Sequence, residues 1–458
     1  MRLTVSALRS AVKRDLPVVF GAERLTSYAG LELVSRYFRR IDLSARVRRV
    51  LAPVEVDSDY GAFRLVLVVI GLVLVGGRRT EHLRYLSRDP LFARFCGLRR
   101  LPTERTVANW LKRFTMAGVR ALGTLVTDLV FEQAERLGLS RLTIDLDGTV
   151  LRTGTQVGWA VRGFNPHHPK DPSYYPLLAH LAQTGQILRV KNRPGNVNDS
   201  RGAEEMVREL VGEIRSRFGK RLPIEFRMDA AFFQEKLLKR LSRLGCGYAI
   251  KVPFWQWLGL KKLVAAQKQW TRITEGIDAF ETMLAVPQWD LSLRVVVYRK
   301  RVHHRSPKNF QLDLFDPDDG YFEYSAVTSN LELQPKALWE FASGRGAHEK
   351  IIGELKGECA FDVIPTNHYA ANSAWQYLSV LAHNLIRSFQ LDADIALLKP
   401  RSLKRTFAHR IMSLRTVRFL LIARAGRIAR IRGRQVLRLS DNPATKDLYQ
   451  RVGHALAA

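Results

Sequence analysis

Four acids stand where chemistry could use them. Asp145 and Asp147 interrupt the stretch Arg141–Leu151, Arg-Leu-Thr-Ile-Asp-Leu-Asp-Gly-Thr-Val-Leu. Leu142, Ile144, Leu146 and Val150 are apolar and β-branched residues are frequent, which predicts a strand. Residues two apart on a strand share a face, so both carboxylates point the same way. Carboxylates held together raise each other's pKa unless a cation or a donor compensates. The alternative is that one caps a turn and the other is solvated. Asp229 closes the apolar run Ile224–Met228, and α/β sheets gather their sites at strand ends. Glu349 lies in Arg345-Gly-Ala-His-Glu349-Lys-Ile-Ile-Gly-Glu-Leu-Lys356. At about 100° per residue, Glu349 and Lys356 fall within roughly 40° of Arg345, so all three share one helix face. A plain ion pair between Arg345 and Glu349, four apart, accounts for the same pattern.

These acids need elements to hold them. After the strand at 142–147, Leu177–Leu181 and Ile187–Val190 flank Gln183-Thr184-Gly185-Gln186, which predicts a β-hairpin. Residues 200–217 are helical, with Met206, Leu210, Val211 and Ile214 on one side. Strand Ile224–Met228, a helix over about 233–244 and strand Tyr248–Val252 follow. That alternation indicates an α/β domain. Residues 253–333 break the rhythm. Leu291–Tyr298 and Tyr321–Thr328 are strand candidates on either side of a loop with Asp313, Asp316, Asp318 and Asp319, and four tryptophans fall in the region (Trp255, Trp257, Trp270, Trp289). It reads as a β-rich insertion. The acidic loop fits no calcium-loop spacing and reads as solvated. Helix returns over 334–358 and again over Tyr369–Phe389.

Charge points to the partner. The 458 residues carry 73 Lys+Arg against 43 Asp+Glu, a net charge of +30, which favours a polyanion, with nucleic acid first. The longest apolar run, Leu65–Val75, is too short for the roughly 20 residues that span a bilayer, so no membrane partner is expected. Cys96, Cys246 and Cys359 are far apart and form no metal or disulfide pattern, which fits a reducing cytoplasm.

Residues 1–135 read as helical and basic, with Leu31, Leu33, Val34, Tyr37 and Phe38 at helical spacing. Residues 101–115 predict a capped helix with Val107, Trp110, Leu111 and Phe114 as its apolar stripe. Arg105, Asn109, Lys112 and Arg113 lie off the stripe and could face DNA as part of a helix-turn-helix, or simply face water. From Lys399 to Arg438 there are thirteen Lys or Arg and no acid. Ile428–Leu439 alternates apolar residues with arginine, predicting a strand with one basic face, and Arg424, Arg427 and Arg430 are candidate phosphate contacts.

Two resemblances follow from these motifs. Asp145-Leu146-Asp147-Gly148-Thr149-Val150 resembles the opening motif of the haloacid-dehalogenase superfamily. That would make Asp145 a nucleophile and Asp147 a general acid/base, with magnesium assisting. The rest of the chain departs from that pattern, since its late acid cluster, Asp316–Asp319, follows no apolar strand. The second resemblance is wider. Arg-x3-Glu-x6-Lys is the core of the Tyr-Arg-Glu-Lys motif of bacterial insertion-sequence transposases with an Asp-Asp-Glu triad. Asp147-Gly148-Thr149, Gly163-Phe164-Asn165-Pro166, Ser173-Tyr174-Tyr175-Pro176-Leu177-Leu178, Arg193-Pro194-Gly195-Asn196, Met228-Asp229-Ala230-Ala231-Phe232-Phe233 and Asn372-Ser373-Ala374-Trp375 fall in the order of insertion-sequence family 1380. The motif's tyrosine position is Ala342, with Phe341 beside it.

This second resemblance implies a ribonuclease-H-like α/β core interrupted by the β-rich insertion, with a helical N-terminal DNA-binding region. It divides the chain into 1–135 for DNA binding, 136–252 for the first part of the core and 253–333 for the insertion. The second part, 334–395, carries the Glu349 helix, and 396–458 is a basic segment. It implies Asp147, Asp229 and Glu349 as catalytic metal ligands, with Arg345 and Lys356 as phosphate-binding neighbours and Asp145 as a structural acid. Two magnesium ions about 4 Å apart, replaceable by manganese, would serve phosphodiester transfer. The implied partners are terminal inverted repeats and target DNA, and the implied state is a homodimer on DNA. One tryptophan of the insertion would stack on an extruded base. A bacterial, nucleoid-associated protein of the cytoplasm is implied. A non-catalytic DNA-binding relic is the remaining alternative.

Overall fold

The computed structural model describes residues 4, 15–54, 56–163, 165, 168–302, 322–398 and 409–457. The acidic loop with Asp313, Asp316, Asp318 and Asp319 lies outside them, as do Phe164 and Pro166 of one motif.

A short strand β1 (Leu25–Thr26) opens the chain. Six helices follow: α1 (Leu31–Arg40), α2 (Leu43–Leu51), α3 (Ala62–Leu74), α4 (Pro90–Phe95), α5 (Glu104–Leu111) and α6 (Met116–Arg136). α1 buries the five residues that its periodicity singles out. α3 holds most of the apolar run and is buried on nearly every side, so it is a core helix. No single helix among the described residues is long and apolar enough to cross a membrane. α5 begins after Thr103, whose hydroxyl accepts from the Thr106 amide at 3.2 Å. Its stripe of Val107, Trp110 and Leu111 is buried, and the Trp110 indole donates to Val56 O at 2.7 Å.

The sheet comes next: β2 (Leu142–Gly148), β3 (Leu151–Arg152), β4 (Ser173–Tyr174), β5 (Leu177–Leu181) and β6 (Gln186–Lys191), then α7 (Ala203–Phe218), β7 (Ile224–Met228), α8 (Glu235–Arg243) and β8 (Gly247–Val252). β2, β7 and β8 run parallel, and β5 and β6 form the expected hairpin, with β5 antiparallel to β2. The insertion supplies β9 (Thr271–Thr274), β10 (Ile277–Val286), β11 (Leu291–Arg301) and β12 (Phe322–Ser329). Its strands extend the same sheet, in the order β6-β5-β2-β7-β8-β12-β11-β10-β9. β12 pairs antiparallel with β8, Ala326 opposite Val252, and so covers an edge that would otherwise expose unpaired backbone groups.

The helical stretch expected over 334–358 is two helices, α9 (Pro335–Ser343) and α10 (Gly346–Cys359), broken at Gly344-Arg345. The break has a cause in the sheet. The Arg227 guanidinium from β7 donates to Phe341 O at 2.9 Å, and a Cβ on Gly344 would lie 2.3 Å from Arg227 Nη1. Only glycine lets the chain pass so close to that cation. α11 (Tyr369–Asp392) is buried along most of its length. The Asn384 side chain pairs with both backbone groups of Ile187 on β6, which ties α11 to the sheet.

The tail corrects another expectation. Ile428–Leu439 is a hairpin, β13 (Gly426–Ile431) and β14 (Arg434–Leu439), turning at Arg432-Gly433 with φ of 48° and 77°. Two positive φ values in a two-residue loop match the twist of the strands. β13 also pairs with β1. A last helix, α12 (Pro443–Ala457), was not legible from charge alone. Helices α1 to α6 share one apolar core with α11 and the tail, joined through residues such as Leu31, Val69, Trp375, Val417 and Val452.

Candidate active site

The site sits where β2 and β7 end and α10 begins. Asp147 is near the end of β2, and its Oδ1 accepts from the Gly148 amide at 2.9 Å. Asp229 follows β7 and caps the turn Ala230–Phe232, with its Oδ1 accepting from the Ala231 amide at 3.0 Å. Each acid therefore spends one oxygen on its own backbone and presents the other. Both Oδ2 atoms meet a single nitrogen, Arg345 Nη2, at 2.6 Å from Asp147 and 3.3 Å from Asp229. Segments more than 80 residues apart in sequence converge there because β2 and β7 are parallel neighbours.

Burial dominates the electrostatics. It pushes the Asp147 carboxyl up to about 7, and the nearby Asp229 charge adds to the rise. Arg345 opposes this, yet one guanidinium contact does not replace the water lost. A further acid, Asp199, belongs to the same cluster: burial and the Asp229 charge push it up to about 6. Its carboxylate accepts from the Tyr175 hydroxyl. Asp199 has no pattern of its own in the sequence, and only its place three residues after Arg193-Pro194-Gly195-Asn196 could have flagged it.

Arg345 thus makes no ion pair with Glu349; it turns to the two aspartates instead. Glu349 is exposed on the wall of a cavity of 510 Å³ that also involves Arg227, Lys251, Lys300 and Arg345. It shares no hydrogen bond with Asp147 or Asp229 among the described residues. Lys356 donates to Val150 O at 2.9 Å, and burial lowers its pKa.

Behind Asp147 lies a buried polar group. Arg227 Nε and Nη2 hold the two Asp145 oxygens at 2.5 and 2.6 Å. His180 Nε2 lies 3.3 Å from Asp145 Oδ2, and His348 stacks on His180 with ring centroids 4.3 Å apart. Their Nδ1 atoms face each other. Asp145 is fully buried, and both oxygens are occupied by the guanidinium. That overturns Asp145 as a phosphatase nucleophile, which needs an open approach to the carboxylate. Asp145, His180 and His348 lie close enough to share a metal ion. A dication held by Asp145 would, however, sit beside the buried Arg227 cation that already neutralises it, so this trio is a poor resident metal site.

The Asp147–Asp229 pair is the better one. Two carboxylate oxygens, one from the mostly buried Asp147 and one from the partly exposed Asp229, converge on one guanidinium nitrogen. Hard divalent ions prefer such oxygens.

The outlying basic residues divide. Arg105 and Asn109 are exposed on α5 and Lys112 just after it, while Arg113, also exposed, donates to Asp57 O. Arg427 and Arg430 project from β13, and Arg424 bonds Leu420 O at 3.0 Å with its guanidinium over the Phe419 ring. Part of the tail's charge is already neutralised, since Arg415 and Arg418 both bind Glu358. Trp255 and Trp257 are half-exposed and stacked, 5.7 Å apart, whereas Trp270 is packed against Phe280 under Arg299. All three cysteines are buried free thiols.

A mixed α/β sheet thus brings two strand-end aspartates together around Arg345, the residue that precedes α10. Comparison with known families places residues 9–458 in the transposase DDE domain group 1. The chain belongs to that family and is a DDE transposase. One solved structure, the cryo-EM structure of a piggyBac transposase synaptic complex with hairpin DNA, aligns with 94% of this chain and 81% of its own. The identity is 11% and the TM-score 0.43. No curated protein matches the chain.

Proposed function

We infer that this transposase cuts the ends of an insertion sequence of the family-1380 type and joins them to target DNA. Asp147, Asp229 and Glu349 are the proposed ligands of two divalent ions, magnesium or manganese. The observation that carries the reading is the convergence of two Oδ2 atoms on Arg345 Nη2. The strand order supports it as well. β6-β5-β2-β7-β8, with β2, β7 and β8 parallel and β5-β6 an antiparallel hairpin, is the arrangement a ribonuclease-H-like core requires.

Ions bound there would activate the attacking oxygen and stabilise the leaving one. The chain's own residues do the rest. Asp147 and Asp229 present one free oxygen each, with the other fixed by backbone. Arg345 screens their repulsion, and with a dication bound there its guanidinium would be free to hold a DNA phosphate. Glu349, one turn along from Arg345, then faces the same acids. Lys356 fixes the backbone that follows β2. Exposed Arg105, Lys112, Arg427 and Arg430 contact phosphates, and residues 1–135 and 396–458 flank the core as DNA-binding segments. The paired Trp255 and Trp257 offer a stacking surface for an extruded base. Two DNA ends must be joined, which favours a homodimer on DNA, in a bacterial cytoplasm at the nucleoid.

The experiment is cleavage of terminal-repeat DNA with magnesium. Asp147→Ala, Asp229→Ala and Glu349→Ala should each abolish cutting and keep DNA binding. Full cutting by Glu349→Ala removes that residue from the triad. Tight, salt-sensitive binding by the wild-type chain without cutting favours a non-catalytic relic.

A further inference from the structure

His348 is fully buried beside the site, and its Nε2 has no hydrogen-bond partner. That atom lies 3.8 Å from Asp147 Oδ2. A buried nitrogen without a partner is unfavourable unless something else occupies its direction.

The protons behind it can be placed by elimination. Both Asp145 oxygens accept from the Arg227 guanidinium, so His180 Nε2 carries the hydrogen toward Asp145. His180 Nδ1 is then bare. It faces His348 Nδ1, which must carry the hydrogen between them. His348 Nε2 is left as a bare lone pair directed at the Asp147 side.

We propose that His348 Nε2 is a nitrogen donor to the divalent ion that Asp147 holds. This rests on the metal-dependent reading above. Metal-binding histidines use their second nitrogen to donate to an acceptor that fixes the tautomer. Here the acceptor is His180, itself set by Asp145. A nitrogen and an oxygen 3.8 Å apart can both sit roughly 2 Å from one ion. Asp145 is then a positioning residue, acting two rings away from the ion. A nitrogen donor shifts preference from magnesium toward manganese relative to an all-oxygen site.

Mn2+ alone, added to the full-length resting protein, is the probe. Pulsed electron paramagnetic resonance reads a nitrogen coupling when an imidazole binds the ion. The expected result is a coupling in the wild type that changes with 15N-histidine labelling and vanishes in His348→Gln. His180→Gln, which removes the tautomer lock without touching the ion, should weaken Mn2+ binding by about 10-fold or more. Folding of each variant is checked by circular dichroism, and the labelling experiment needs no variant. Mn2+ binding that fails in Asp147→Ala while the wild type shows no nitrogen coupling overturns the donor alone. Mn2+ binding unaffected by both Asp147→Ala and His348→Gln overturns the metal site and the donor together.

Discussion

Two arginines meet aspartates on this sheet in opposite ways. Arg227 grips Asp145 with two nitrogens inside the protein, where the side chains are 8% and 0% exposed. Arg345 bridges Asp147 and Asp229 with one nitrogen at the edge of a cavity. The first pair is sealed and bidentate, and breaking it would strand a charge in the interior. The second is shared between two acids by one nitrogen and borders the cavity. Similar chemistry, at different depth, makes one pair a fixture of the fold and leaves the other as the proposed site.

Removing the acids of the open site tests this contrast most severely. Asp147→Ala or Asp229→Ala should reduce metal-dependent cleavage to background in a gel assay and leave thermal stability nearly unchanged. The arginines separate the two regions next. Arg227→Met leaves Asp145 buried without its counter-cation, and should cost about 3–5 kcal/mol in urea unfolding. Arg345→Met should cost no more than about 1 kcal/mol in the same measurement. Equal costs would erase the distinction.

A proton offers a subtler probe. Asp147 is pushed from its ordinary 3.8 to about 7. Its folded form therefore holds a proton more tightly than its unfolded form. The stability this provides is present at low pH and is lost as pH rises from about 4 to about 7. Ion binding runs the other way, because the ligand is the carboxylate. Mn2+ affinity should climb by up to about tenfold per pH unit below pH 7 and level off above it. Arg345→Met should move that curve to higher pH, because Arg345 lowers the Asp147 pKa. The smallest effect belongs to the periphery. Arg105→Ala or Lys112→Ala should each reduce the salt dependence of DNA binding by about one unit of slope, read by fluorescence anisotropy.

Much of this molecule follows from local pattern. The apolar alternation around Asp145 and Asp147, the hairpin 177–191 and strand Ile224–Met228 are set by periodicities that span a few residues. The placement of Asp229 at a strand end follows as well. β10 was not legible, because Glu281 and Thr282 break its alternation. The break at Gly344-Arg345 was not legible either, since its cause is Arg227, more than 100 residues away. The pairing of Arg345 with the aspartates replaced the neighbouring Glu349 for the same kind of reason. Two acids from adjacent parallel strands offer a cation more than one acid a turn along the helix does.

The sequence alone determined which residue types reach the ends of β2 and β7, since strand periodicity and strand ends are local properties. Only the tertiary structure decided what each acid does. Asp145 and Asp147 share a strand, a face and a chemistry. One was packed fully under Arg227 and His180 and the other was left partly open beside Arg345, and the depth of burial set by the surrounding elements separates a sealed ion pair from a shared one.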